Sequence, residues 1–122
     1  MLLNDFFTIS EMNVSADKLV AQVGLNAKHK IFDGHFPDNP VTPGVVQLQI
    51  VKEILEVHFK KELGLKIISK CKFLNILNPT NTPFITITID FTLVDEQIKM
   101  NAVGAFEETS FFKFSAIYQW RV

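Results

Sequence analysis

Gly34-His35-Phe36-Pro37-Asp38-Asn39-Pro40-Val41-Thr42-Pro43-Gly44-Val45 is the stretch on which the chain turns. It gathers three of the five prolines and two of the five glycines around one histidine, directly before a strongly apolar run. Proline fixes φ and glycine releases it, so a segment rich in both specifies a particular backbone path. Such a path can hold an imidazole over the start of a helix. There, free amide N–H groups and the positive dipole end favour developing negative charge. The segment has the composition of a site rather than of a connection.

Downstream, Val46, Ile50, Val51, Ile54, Leu55, Phe59 and Leu63 recur at three- and four-residue spacing, the period of a helix with a buried face. The spacing predicts a helix over Val45 to Leu63, entered through Pro43-Gly44 and closed near Gly64. The remaining segments have a period of two. Residues 6–12 and 18–25 read as strands joined at Ser15-Ala16-Asp17. Lys66–Leu74 alternates, and Phe84–Leu93 does so cleanly with many β-branched residues. Ile98–Phe106 and Phe111–Tyr118 complete a meander, and Asn78-Pro79-Thr80-Asn81-Thr82-Pro83 is a second loop with strong turn chemistry. One long helix among long antiparallel strands predicts an α+β domain over residues 1–122, with the sheet wrapped around the helix. A single helix cannot cover both sheet faces, so a dimer is expected to finish the structure.

Composition bounds the function. The apolar fraction of 48% and the 12 phenylalanines exceed what one small domain needs to bury. The excess predicts a subunit interface or an apolar ligand channel. Phe111, Phe112 and Phe114 are assigned to core and interface, with the lining of such a channel as the alternative. A net charge of -1 predicts no nucleic-acid partner. Lys52, Lys60, Lys61 and Lys66, offset by Glu53, Glu56 and Glu62, read as a solvated helix face, with a docking patch for an acidic carrier as the alternative. Cys71 is the only cysteine. It has no internal disulfide partner and sits in strand alternation, which predicts a structural thiol and a reducing compartment. Met1–Phe7 lacks the basic region and apolar core of a signal peptide, and no window is long enough to span a membrane. A soluble cytoplasmic protein is expected.

Gly34-His35-Phe36-Pro37, then Pro40, then Pro43-Gly44-Val45 and a helix, resembles the active-site segment of the hot-dog-fold 3-hydroxyacyl-acyl-carrier-protein dehydratases of bacterial fatty-acid synthesis. The likeness extends to Phe32-Asp33 upstream. Downstream, Lys72-Phe73 followed by Asn78-Pro79 resembles that family's second motif, although Thr80-Asn81 stands where that motif has Gly-Asp. The resemblance implies a hot-dog fold, and it implies that His35 is the base removing the α-proton of a 3-hydroxyacyl thioester. Imidazole titrates near neutrality, which suits that task. The Gly44 amide would polarise the thioester oxygen, a donor worth roughly 3 kcal/mol in such sites. Phe36, Pro43, Val45 and Phe73 would flank the substrate. The implied partner is acyl carrier protein or a CoA thioester, and the phosphopantetheine that carries the substrate is the only prosthetic group called for.

One position departs from the pattern. The family places an Asp or Glu on the helix fourteen residues after the histidine, where it acts on the leaving hydroxyl; Gln49 stands here. An amide has no acidic proton in the useful range but can hydrogen-bond a hydroxyl or water. Loss of a general acid costs a factor of roughly 100 to 10,000. Glu53, on the same helix face one turn on, is read as an exposed carboxylate in preference to a replacement acid. His29 and His58 offer no better group, and Asp33 is expected to cap or turn the chain. The three histidines lack metal-ligand spacing, and no phosphate loop or serine elbow is present.

Three functions fit these residues. The first is a homodimeric or higher-order dehydratase with His35, Gly44 and Gln49 in its site, impaired by Gln49. The second is a non-catalytic or half-catalytic subunit that pairs with an active paralogue, since the family builds its sites across the subunit boundary. The third, weaker because it too calls for a carboxylate on the helix, is a thioesterase.

Overall fold

A computed structural model describes residues 1–36 and 38–121; Pro37, part of the opening motif, lies outside the described residues. Six strands, β1 (Phe7–Val14), β2 (Lys18–Leu25), β3 (Leu63–Phe73), β4 (Phe84–Val94), β5 (Gln97–Phe106) and β6 (Thr109–Trp120), form one sheet. Helix α1 (Gly44–Phe59) lies between β2 and β3 in the chain. The strand order is β1-β2-β4-β5-β6-β3, with every pairing antiparallel. The segment containing α1 therefore carries the chain from β2 to the far edge of the sheet, and β4 returns to pair with β2. This is the predicted α+β arrangement. None of its helices is long and apolar enough to cross a membrane among the described residues.

Period-two alternation decides which sheet face is covered. Ile85, Ile87, Ile89 and Phe91 of β4 point inward, as do Leu19, Ala21 and Val23 of β2 and Ile98, Met100 and Ala102 of β5. Against them α1 buries Val46, Ile50, Val51, Ile54 and Leu55. Phe111, Phe112 and Phe114 are all in this core. Gly104 opposes Phe112 across β5 and β6, and a Cβ there would stand 2.2 Å from the ring. Glycine is what lets the ring lie flat on the strand.

The helix ends one turn before the sequence suggests. Lys60 takes the left-handed conformation at φ 55 and closes α1 with its N–H on the Glu56 carbonyl. The C-cap expected near Gly64 does not form; Leu63 opens β3 instead, fully buried and paired with Trp120. Its amide donates to Glu56 Oε2 at 2.9 Å. Apolar spacing cannot separate the last inward position of a helix from the first inward position of the next strand.

β3 is an edge strand, and past Gly64 all its residues are exposed. Leu65, Ile67, Ile68 and Phe73 are large apolar residues among them. Cys71 is exposed there too, so it does not pack as a structural thiol.

Candidate active site

The path into α1 is built from local polar bonds. His29 begins a short 3₁₀ turn over Lys30–Asp33, its Nδ1 accepting from the Ile31 amide at 3.1 Å. A nitrogen that accepts is unprotonated, so the neutral ring carries its proton on Nε2 and donates to Asp5 Oδ2 at 3.0 Å. That hydrogen bond is the main cause holding the Asp5 carboxyl below its ordinary range. His29 is thus a structural residue, and the turn delivers the chain to His35.

His35 and Phe36 are exposed, their rings 5.3 Å apart and their shared peptide bond cis. The His35 carbonyl accepts from the Val41 amide at 2.8 Å, and Phe36 and Asn39 exchange backbone bonds, closing the loop on itself. The loop is then tied to the second motif. The Thr42 amide donates to the Leu77 carbonyl at 2.9 Å, and Asn78 Nδ2 donates to Asn39 Oδ1 at 3.3 Å. These bonds bring together the two segments the sequence singles out.

The amino end of α1 has no side-chain cap, because Pro43 occupies the capping position. Val46 and Gln47 donate to the Pro43 carbonyl, while the Gly44 and Val45 amides have no acceptor among the described residues. Proline supplies no side-chain acceptor, so the positive end of the helix is left open. A cleft of about 380 Å³ opens here between Thr42, Pro43 and Gly44 on one side and Phe73 and Leu77 on the other. The Phe73 ring lies over Gly44, 2.6 Å from where a Cβ would be. Thr42 and Gln47 also line the cleft, and both are buried. Gln47 Nε2 donates to the Thr42 carbonyl, whereas Gln47 Oε1 and Thr42 Oγ1 lack partners. Sequence reasoning passed over both residues. The available signal was a polar Gln47 flanked on the helix by the inward Val46 and Ile50.

Further along α1, Glu53 is not the exposed carboxylate expected. It is 0% exposed. Its carboxylate accepts from the Leu2 amide at 2.9 and 3.0 Å, from Leu3 at 2.9 Å, and from Gln49 Nε2 at 2.8 Å. The first residues of the chain pack over this helix face and supply donors that no helical periodicity reveals. Gln49 faces two neighbouring cavities. One, about 370 Å³, is lined by Leu2, Val45, Val46 and Glu53; the other, about 610 Å³, by Lys52, Lys60, Lys61 and Arg121 with Glu56 and Glu62. Three of the four lysines noted in the sequence meet there, and Lys66 does not line it. Beside Glu56, burial pushes the Tyr118 phenol above its ordinary range, and the Glu56 charge adds to the shift.

The sequence-predicted site residues therefore fall into three places. Pro43, Gly44 and Phe73 share the cleft at the start of α1, and Val45 and Gln49 share a cavity on the next turn. His35 and Phe36 stand on the exposed loop outside both. No cluster able to hold a metal ion is found among the described residues.

Comparison with known proteins agrees with this architecture. A family described as ApeI-like, the ApeI dehydratase, matches residues 11–115. A 3-hydroxyacyl-[acyl-carrier-protein] dehydratase FabZ of Thermoanaerobacter sp. (strain X514) is 33% identical over 95 residues, covering 72% of this chain and 63% of that protein. The chain thus spans less than two thirds of that relative's length. Among solved structures, a dehydratase heterocomplex ApeI:P from Xenorhabdus doucetiae superposes with a TM-score of 0.66 at 17% identity, covering 91% of this chain and 96% of that one. A Silicibacter protein provisionally named a thioesterase reaches 0.61 at 10% identity, over 98% and 81% of the two chains. At such identities these likenesses speak for the fold alone, and the fold is the hot-dog fold.

Proposed function

The chain belongs to the ApeI-like dehydratase family, and from that premise we propose that it dehydrates 3-hydroxyacyl thioesters carried on acyl carrier protein or CoA, in the cytoplasm. His35 takes the α-proton, and the C–H electrons form the C2–C3 double bond as the C3–O bond breaks. The hydroxyl leaves as water with a proton returned from the imidazolium, so atoms and charge balance. Gly44 polarises the thioester carbonyl, and Phe36, Pro43, Val45 and Phe73 flank the acyl chain. Gln49 holds the hydroxyl without protonating it, which makes the reaction slow. The observation that carries this reading is the uncapped amino end of α1, hydrogen-bonded through its own loop to the segment bearing His35.

The sites lie between two copies of the chain. Supporting this are the exposed apolar β3 edge, with a row of backbone groups open to pairing, and the placing of His35 outside the two cavities that Gln49 lines. A second reading is a subunit that pairs with an active paralogue. It is favoured by Gln49, because a partner's carboxylate would supply the missing acid to His35.

The purified chain, mixed with a 3-hydroxyacyl pantetheine thioester, is expected to form the 2-enoyl product slowly, and His35→Ala to abolish it. Gln49→Glu should raise the rate by roughly 100 to 10,000-fold. The new carboxyl would sit against Glu53, and two adjacent carboxylates share a proton, which suits an acid. Release of free acid in place of enoyl product would instead make the protein a thioesterase. Turnover only after mixing with a related chain would favour the subunit reading.

A further inference from the structure

Gln49 is held in one orientation. Glu53 stands one helical turn beyond it, and a carboxylate oxygen accepts hydrogen bonds, so the Gln49 amide turns its NH₂ group toward Glu53 at 2.8 Å. The orientation of Glu53 is itself fixed, because the Leu2 and Leu3 amides bind the same carboxylate and no part of the residue is exposed. With one Nε2 hydrogen on Glu53 the amide cannot turn over, so its carbonyl oxygen is held at the end away from Glu53. Gln49 Oε1 accepts no hydrogen bond from the described residues, and it is not among the buried unpartnered atoms, which are Thr42 Oγ1 and Gln47 Oε1. Gln49 itself lines the cavity beside Val45 and Val46.

We propose that Glu53 is a positioning residue that locks Gln49 with its carbonyl oxygen turned to the C3 substituent, and that this lock makes the site select a 3-hydroxyacyl chain over its 3-oxoacyl counterpart. The inference rests on the reading of Gln49 as the residue that meets the C3 substituent. A C3 hydroxyl donates to Oε1. A C3 ketone has no proton to give, so two acceptor oxygens would face each other, each stripped of water. An unlocked glutamine would turn its amide and bind either group. Sites that present a fixed partner to a hydroxyl reject the analogue lacking the matching proton, because a polar group is left unpaired. The lock thus fixes which end of the amide meets the C3 substituent.

The test is equilibrium binding of 3-hydroxyacyl and 3-oxoacyl pantetheine amides of equal chain length, which cannot turn over as thioesters do. Wild type should prefer the hydroxyl form by on the order of tenfold or more. In Glu53→Gln, the new Oε1 still accepts from Leu2 and Leu3 while its NH₂ donates to Gln49 Oε1. The Gln49 amide then reverses, and the preference should vanish or invert. Gln49→Leu, which leaves Glu53 and its backbone donors in place, should bring the two affinities together by weakening the hydroxyl form, and it decides the matter if Glu53→Gln does not fold. Equal affinities in wild type, or a wild-type preference kept in Gln49→Leu, would overturn the lock while leaving the acyl-binding site standing. Failure of wild type to bind either amide would overturn the underlying site assignment as well.

Discussion

Two phenylalanine rings each lie on a glycine, and they do so in opposite settings. Phe112 is 1% exposed over Gly104, in the middle of the sheet. Phe73 is 49% exposed over Gly44, at the open end of α1. The local device is the same, a missing Cβ that lets an aromatic face approach backbone. In the core the ring is enclosed on every side, so the contact specifies packing. At the helix end the ring is half exposed, so it can move, and it covers the helix start, where the Gly44 and Val45 amides have no acceptor among the described residues. The same contact is rigid where it builds the fold and removable where it covers the open end of the helix.

The largest expected difference is between the two rings. Phe112→Ala should cost about 3–5 kcal/mol in urea unfolding, the range for truncating an enclosed aromatic residue. Phe73→Ala should cost about 1 kcal/mol or less in the isolated chain. A larger loss that grows with protein concentration would show that a second copy covers Phe73, since a ligand or subunit bound to the native state stabilises it by mass action. A large loss independent of concentration would break the comparison, for the helix end would then be as enclosed as the core.

Next in size are the glycines. Gly104→Ala places a methyl 2.2 Å from a ring that cannot leave, and overpacking of this kind costs roughly 1–3 kcal/mol. Gly44→Ala makes a similar clash, but Phe73 can swing outward and alanine is the better helix former. Its stability should change by less than about 1 kcal/mol, while the cleft at the helix start changes shape and thioester binding weakens. Equal destabilisation by the two substitutions would show that Phe73 is fixed.

How far the sequence discloses each region follows from the forces that hold it. The core is apolar and periodic, so Phe84–Val94 and the helix face from Val46 to Leu55 are legible from spacing alone. The loop with His35 is legible for a different reason, because proline and glycine restrict backbone paths wherever they fall. Glu53 was not legible. Its burial depends on donors from Leu2 and Leu3, some fifty residues away, and a polar residue on a helix carries no sign of a distant partner. Gln47 and Thr42 escaped for another reason: their bond is local, and a polar residue beside the inward Val46 reads as a break in the apolar face. The helix end escaped because Leu63 satisfies the helical period by accident while serving β3. Long-range polar contacts, which shape the site, are the part that periodicity cannot express.

That division makes a last and smallest prediction, about acid. The apolar cluster is held by packing, whereas the path to His35 is pinned by the polar contact of Asp5 with His29. The hydrogen bond from His29, and to a lesser degree the nearby positive charges, holds the Asp5 carboxyl below its ordinary value of 3.8. A carboxyl depressed on folding contributes stability that is fully present above its unfolded value and disappears as pH falls through the folded one. Wild type should therefore be slightly more stable than Asp5→Ala near about pH 7, and the gap should close as pH drops below 3.8. The effect is modest because the Asp5 side chain is 66% exposed, and added salt should shrink it further. Unfolding midpoints of the two proteins across that range measure it. A gap that stays constant into acid would mean that Asp5 acts by packing, and that the loop bearing His35 is held as the core is.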